Sequence, residues 1–206
     1  GILLDADIMA QAPMRMLWAG FGDMVAKYVA ICEWRITNLI TGEYYCEAIA
    51  DLMRAALKKI SANVDKLMQR DPDAALAVAE GLLLAGMGMA YAGCSRPASG
   101  IEHYFSHMWE MMALERGLPY DLHGIQVGVG TMLTMKLYER IRQIVPDRAK
   151  AEAHMVAFDR TVWEAQIRRI FGRAAGEIIA IEDKTKKNSP ERHAGRLNII
   201  IDRWQD

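Results

Sequence analysis

Hydrophobic positions along this chain recur at helical spacing, and almost nowhere do they alternate. Between residues 47 and 68, Ile49, Leu52, Met53, Ala56, Leu57 and Ile60 fall on one stripe, which predicts a long amphipathic helix. Asp71-Pro72-Asp73 predicts a clean start for the next helix, because Asp71 can cap free N–H groups and Pro72 suits the first turn. That helix is apolar almost throughout; it is expected to end near Ala92 and to be buried on every side. A loop rich in helix breakers, residues 93–100, precedes a predicted helix over 101–116. After a turn at Gly117-Leu118-Pro119-Tyr120, a further helix is predicted over 123–144 through Val127, Val129, Met132, Leu133 and Leu137.

The flanks are less regular. Pro13 suits a helix start, Gly20-Phe21-Gly22 is expected to interrupt that helix, and a second is expected to begin at Asp23 and run to about residue 38, with Val25, Val29 and Trp34 on its apolar face. Short helices are predicted over 148–156, 161–171 and 174–184, an exposed polar loop over 184–194, and a short apolar helix over 197–204. Residues 1–12 hold no complete predicted element and read as the remnant of a connection from something upstream. The expected fold class is all-α: eight to ten helices in a single helical domain spanning residues 1–206, with no internal repeat.

Composition changes this picture little. A formal net charge of −1 supplies no electrostatic reason for a nucleic-acid or anionic-membrane partner, and neither is expected. Cys32, Cys46 and Cys94 are odd in number and include no CxxC pair, so buried or half-buried thiols in a reducing cytoplasm are expected. No secretory leader is expected at the start. The apolar run over 74–94 is broken by Glu80, and the uninterrupted part over 81–94 is short for a bilayer span.

The chemistry-bearing residues cluster in a few places. His103 and His107 stand four apart, on one helix face. His123 follows in Leu122-His123-Gly124, and Asp23 lies upstream behind Gly20-Phe21-Gly22. One carboxylate and two imidazoles leave open positions on a zinc or iron ion, which can polarise a substrate oxygen. Structural readings stand beside this one: an acid at a helix start is favoured by the free amides there, and paired histidines can be packing or capping groups. His154 and His193 sit in polar surroundings and read as surface residues. HExxH, paired ExxH, adjacent His-Asp and GxSxG motifs are all absent. So is a dinucleotide fingerprint: Gly86-Met87-Gly88 meets Tyr91, and Gly20-Phe21-Gly22 meets Val25, where a third glycine is required.

At these residues the chain resembles the iron-dependent alcohol dehydrogenase and dehydroquinate synthase superfamily, and within it the bacterial sn-glycerol-1-phosphate dehydrogenases. The resemblance is carried by Ala19-Gly20-Phe21-Gly22-Asp23 with Ala26-Lys27-Tyr28, by Leu39-Ile40-Thr41-Gly42-Glu43-Tyr44-Tyr45, and by Ser95-Arg96-Pro97-Ala98-Ser99-Gly100 with Glu102-His103. Ser106-His107-Met108-Trp109-Glu110 and His123-Gly124 with Val127-Gly128 continue it. It implies the helical C-terminal, metal-binding half of a dehydroquinate synthase-like fold, without the N-terminal α/β domain that binds NAD(P). It implies Asp23, His103 and His123 as ligands of a divalent metal, zinc foremost, with nickel and iron as alternatives. His107 matches a histidine beside the substrate, expected to stay off the metal and move a proton near the substrate oxygen. Lys27, one turn beyond Asp23, is a substrate-binding candidate. The implied reaction is hydride transfer between NAD(P)H and dihydroxyacetone phosphate, giving sn-glycerol 1-phosphate for phospholipid metabolism in the cytoplasm, in an enzyme open to homo-oligomerisation, with the fragment alone expected to be inactive. A glycerol or other alcohol dehydrogenase, a dehydroquinate synthase-like enzyme and a non-catalytic helical interaction module remain as alternatives.

Overall fold

The computed structural model describes residues 1–156, 158–186 and 189–206. Among them the chain is all-α, with no strand. The helices are α1 (Ala6–Gln11), α2 (Met14–Val25), α3 (Lys27–Thr41), α4 (Glu47–Ser61), α5 (Val64–Met68), α6 (Pro72–Ala92), α7 (Ile101–Arg116), α8 (His123–Ile141), α9 (Arg148–Val156), α10 (Arg160–Phe171), α11 (Ala175–Thr185) and α12 (Pro190–Asp202), with a 3-10 turn at Gly172–Ala174. This is more than the eight to ten expected, because a helix forms within residues 1–12 and the stretch over 47–68 divides in two. They gather in two compact units, where the hydrophobic pattern alone offered no boundary: Gly1–Met108 with Tyr120–Ile141, and Trp109–Pro119 with Arg142–Asp206.

In the first unit α2 packs along α8, and α4 along α6. Met24, Met53, Leu57, Ile60 and Leu67 form the centre of the core; burying side chains of this size stabilises by ~1.5–3 kcal/mol each. Trp34 is fully enclosed; its indole N–H donates to the Tyr44 carbonyl at 2.6 Å and its ring packs on Tyr45. In the second unit α9 lies against α12 and α10 against α11. Asp159 caps α10 by accepting from the Thr161 and Val162 N–H groups.

Several sequence expectations are corrected. Residues 1–12 do contain an element: Asp5 accepts from the Ile8 N–H to start α1, and Arg70 donates to the Ala10 and Ala12 carbonyls at its end. Gly20-Phe21-Gly22 does not interrupt its helix, since α2 runs through to Val25 and the break falls at Ala26. The stretch over 47–68 divides into α4 and α5, where the Asn63 side chain donates to the Lys59 carbonyl and so competes with helix continuation. The expected loop over 184–194 is mostly helical, because Ser189 caps α12 and Pro190 opens it; its residues 187–188 lie outside the described residues.

Helix α6 also departs from expectation. Its 21 residues are long and apolar enough, by length and composition, to cross a membrane, yet only 39% of its apolar window is buried within the chain. Its packed face is built from Ala74, Ala77, Val78, Gly81, Ala85 and Gly88, so bulkier Met87 and Tyr91 stay outside. Gly81 meets Ile60 and Met24, and Gly88 meets Ile49 and Met53, so α4 approaches closely. Glu80, within the apolar run, accepts from Lys59 at 2.5 Å, an ion pair suited to a helix packed in water. Cys46 and Cys94 are half-buried as expected, but Cys32 is exposed.

Candidate metal centre

The site forms where α2, α7 and α8 meet, and glycine makes the meeting possible. A Cβ on Gly22 would stand 2.2 Å from the Gly124 carbonyl oxygen, and one on Gly124 would stand 2.0 Å from that of Ala19. Only two glycines let these backbones touch. The next residue after Gly22 is Asp23, and the one before Gly124 is His123. The crossing therefore brings an acid from the end of α2 to an imidazole at the start of α8. A Cβ on Gly130 would lie 2.6 Å from the Glu102 carbonyl oxygen, so α8 also lies tight against the start of α7, which carries His103.

Asp23, His103 and His123 can each offer one ligand atom, all within 4.8 Å of one another. His103 Nε2 is 3.4 Å from Asp23 Oδ1, and the rings of His103 and His123 are 5.3 Å apart. The other Asp23 oxygen accepts from Lys27 Nζ at 3.1 Å, and Lys27 is buried. The ring of His107 lies 5.3 Å from that of His123, stacked, and 6.1 Å from that of His103. All five sequence-derived residues thus sit in one place. Asp23 stands in the last turn of α2, so the helix-start explanation for this acid fails: its carboxylate meets Lys27 and His103 instead of free amides.

The electrostatics follow from burial against pairing. Burial would raise the Asp23 carboxyl, but the bond with His103 and the charge and bond of Lys27 outweigh it and bring it down to about 2. Burial lowers Lys27 more than Asp23 and Glu102 can restore. Burial would lower His103 as well, and here the bonds to Asp23 and Glu102 prevail and raise it.

Sequence reasoning missed the residues behind the cluster. Glu102, fully enclosed, places Oε1 2.8 Å from His103 Nδ1 and accepts from the Gly100 N–H at the same distance. Ser106 Oγ is 3.2 Å from His123 Nδ1. Glu33 accepts from the Ile101 N–H at 2.9 Å and from the Tyr138 hydroxyl at 2.5 Å. One signal was present: an acid in the first turn after a breaker loop commonly folds back onto the free N–H groups. Glu33 and Tyr138 had none. The second unit holds a cleft of about 470 Å3 lined by Phe158, Val162 and Trp163, which contains none of these residues. His154 and His193, expected at the surface, are exposed on its margin.

No family model matches the chain. It is similar to curated proteins named glycerol-1-phosphate dehydrogenase [NAD(P)+]. One from Halalkalibacterium halodurans is 36% identical over 138 residues, 67% of this chain and 35% of the relative. One from Geobacillus thermodenitrificans is 32% identical over 163 residues, 79% and 40%. One from Methanosarcina acetivorans is 38% identical over 150 residues, 72% and 41%. The chain thus spans between 35% and 41% of the length of these relatives.

Proposed function

We propose that this chain is the metal-binding part of an NAD(P)-dependent glycerol-1-phosphate dehydrogenase of the cytoplasm, which interconverts dihydroxyacetone phosphate and sn-glycerol 1-phosphate. The observation that carries the reading is the convergence of Asp23, His103 and His123 in a chain similar to enzymes of that name. The donor set suits a divalent ion, since one carboxylate and two imidazoles each present an atom within 4.8 Å of the others. Zinc is the foremost candidate, with nickel and iron behind it.

A bound ion would supply Lewis-acid stabilisation of negative charge on the substrate oxygen. The chain's own groups do the rest. Asp23 and the two imidazoles hold the ion. Lys27, buried on Asp23, brings a positive group to the same cleft and is a candidate to contact a substrate oxygen. His107 is exposed and its ring borders both ligand histidines, so it can give or take a proton at the substrate oxygen without joining the donor set. This chain carries no dinucleotide fingerprint, so the dinucleotide is assigned to another part of the enzyme, and the chain alone is expected to be inactive.

Metal content tests the first half: the purified chain should hold about one zinc, and His103→Ala and His123→Ala should each lose it. Equal content in all three removes the assignment. Joined to a nucleotide-binding domain, the chain should reduce dihydroxyacetone phosphate in preference to dihydroxyacetone. The opposite preference would point to a glycerol dehydrogenase. In that assembly His107→Ala should keep its metal and lose turnover, whereas loss of metal as complete as in His103→Ala would make His107 a ligand.

A further inference from the structure

Glu102 is costly to explain as a helix cap. It is fully enclosed, its Oε1 takes the Gly100 N–H and His103 Nδ1, and its Oε2 has no hydrogen-bond partner among the described residues. The neighbouring N–H of the same helix start, that of Ile101, already has Glu33. Taking a half-satisfied carboxylate out of water is unfavourable, and a serine or aspartate at the surface would cap as well. The crowding is tight too: Glu102 Oε2 and Glu33 Oε2 lie 2.7 and 2.9 Å from the place a Cβ on Gly100 would take.

What Glu102 does that a cap does not is hold a ring. The His103 imidazole lies between two carboxylates, with Glu102 at 2.8 Å on Nδ1 and Asp23 at 3.4 Å on Nε2. The shorter contact is a full hydrogen bond and the longer is at the edge of one. We infer that Glu102 is the positioning residue of the site: it accepts a hydrogen bond from Nδ1–H of His103 and thereby fixes, for the neutral ring, the tautomer whose Nε2 lone pair is open to an ion shared with Asp23. Ligand histidines commonly donate their second N–H to a carboxylate in this way, and losing that partner costs 10–100-fold in metal affinity. Glu102 is not among the residues whose ligand atoms converge, so its effect on an ion there runs through His103. The inference rests on the metal reading proposed above for its consequence, though not for the tautomer itself.

The test has two arms. Nitrogen-15 NMR of the histidine-labelled chain, without metal and at a pH where the His103 ring is neutral, should find the proton on Nδ1; a proton on Nε2 overturns the inference whether or not the chain binds metal. Zinc affinity, measured by competition with a chromophoric chelator, should fall about 10–100-fold in Glu102→Ala. It should fall less in Glu102→Gln, whose carbonyl can still accept from Nδ1–H and whose amide can face Glu33. Unchanged affinity in Glu102→Ala, or equal loss in both variants with helical content intact, overturns it. If Glu102→Ala fails to fold, the wild-type tautomer and the zinc affinity of Glu102→Gln decide. If the wild-type chain takes up no zinc, the reading of Asp23, His103 and His123 as ligands fails, and the tautomer still decides the role of Glu102.

Discussion

Glu33 and Tyr138 illustrate at the residue scale how buried charge is kept at the start of α7. Burial pushes the Glu33 carboxyl above the usual range, and the Tyr138 hydroxyl and Ile101 N–H, both donating to it, pull partly against that rise. Tyr138 is itself pushed far above the ordinary tyrosine range by burial and by this carboxylate. Tyr138→Phe therefore leaves a half-buried carboxylate oxygen without its donor, and should cost about 1–3 kcal/mol in urea unfolding near neutral pH. The sign of the pH dependence follows from linkage. A carboxyl whose folded pKa lies above its unfolded value favours the fold below the unfolded value and loses that contribution as pH rises through the folded one. Removing the Tyr138 bond raises the folded value further, so the deficit of the variant should grow from about pH 4 to neutrality. A deficit constant across that range would show that the hydroxyl serves packing and not the charge.

At the scale of elements, the site depends on how closely α2 can approach α8. Glycine inside a helix costs up to ~1 kcal/mol relative to alanine, and Gly22 lies inside α2 and Gly124 inside α8. The contact offsets that cost, because a methyl group at either site would meet backbone oxygen near 2 Å. Gly22→Ala and Gly124→Ala should each destabilise the chain by roughly 2 kcal/mol or more after the helical gain is counted, and both should weaken zinc binding by separating Asp23 from His123. Gly86 supplies the control. It is exposed in α6 with nothing within 4 Å of an added Cβ, so Gly86→Ala should stabilise by about 0.5–1 kcal/mol. Denaturant midpoints moving in the same direction for Gly86→Ala and Gly124→Ala would refute the close-approach account.

At the scale of the molecule, burial is uneven between the units. Helices α2, α3, α4 and α6 carry many buried residues, whereas α9, α10 and α12 carry none. Local opening follows the density of buried apolar contacts. Hydrogen exchange should accordingly be at least ~100-fold faster for the amides of α9, α10 and α12 than for those of α4 and α6 under native conditions. Uniform protection across both units would contradict this. On the proposed ligand set of Asp23, His103 and His123, added zinc should slow exchange first in α2, α7 and α8, the helices that carry them.

The helical class, the caps of α6, the bounds of α7 and the start of α8 were legible in the chain because each rests on local physics: periodicity, a capping acid, a proline in the first turn, a breaker-rich loop. His103, His107 and His123 were legible as candidates for one site, from residue types in a recurring arrangement and from family resemblance, which also supplied Lys27. Three things were not. Glycines at 20 and 22 read as a break, because their helical cost is local while the contacts that offset it come from far along the chain, Val78 for Gly20 and Gly124 for Gly22. Behind the cluster, Ser106, Glu33 and Tyr138 could not be read, because hydrogen bonds across 17 and 105 positions leave no periodic trace, whereas Glu102, bonded one and two positions away, carried a local signal. Asp23 was ambiguous until tertiary structure moved it from a helix start to a helix end, where only Lys27 and His103 account for its carboxylate. Local rules set which segments coil; the contact of α2 with α8 decides which side chains meet.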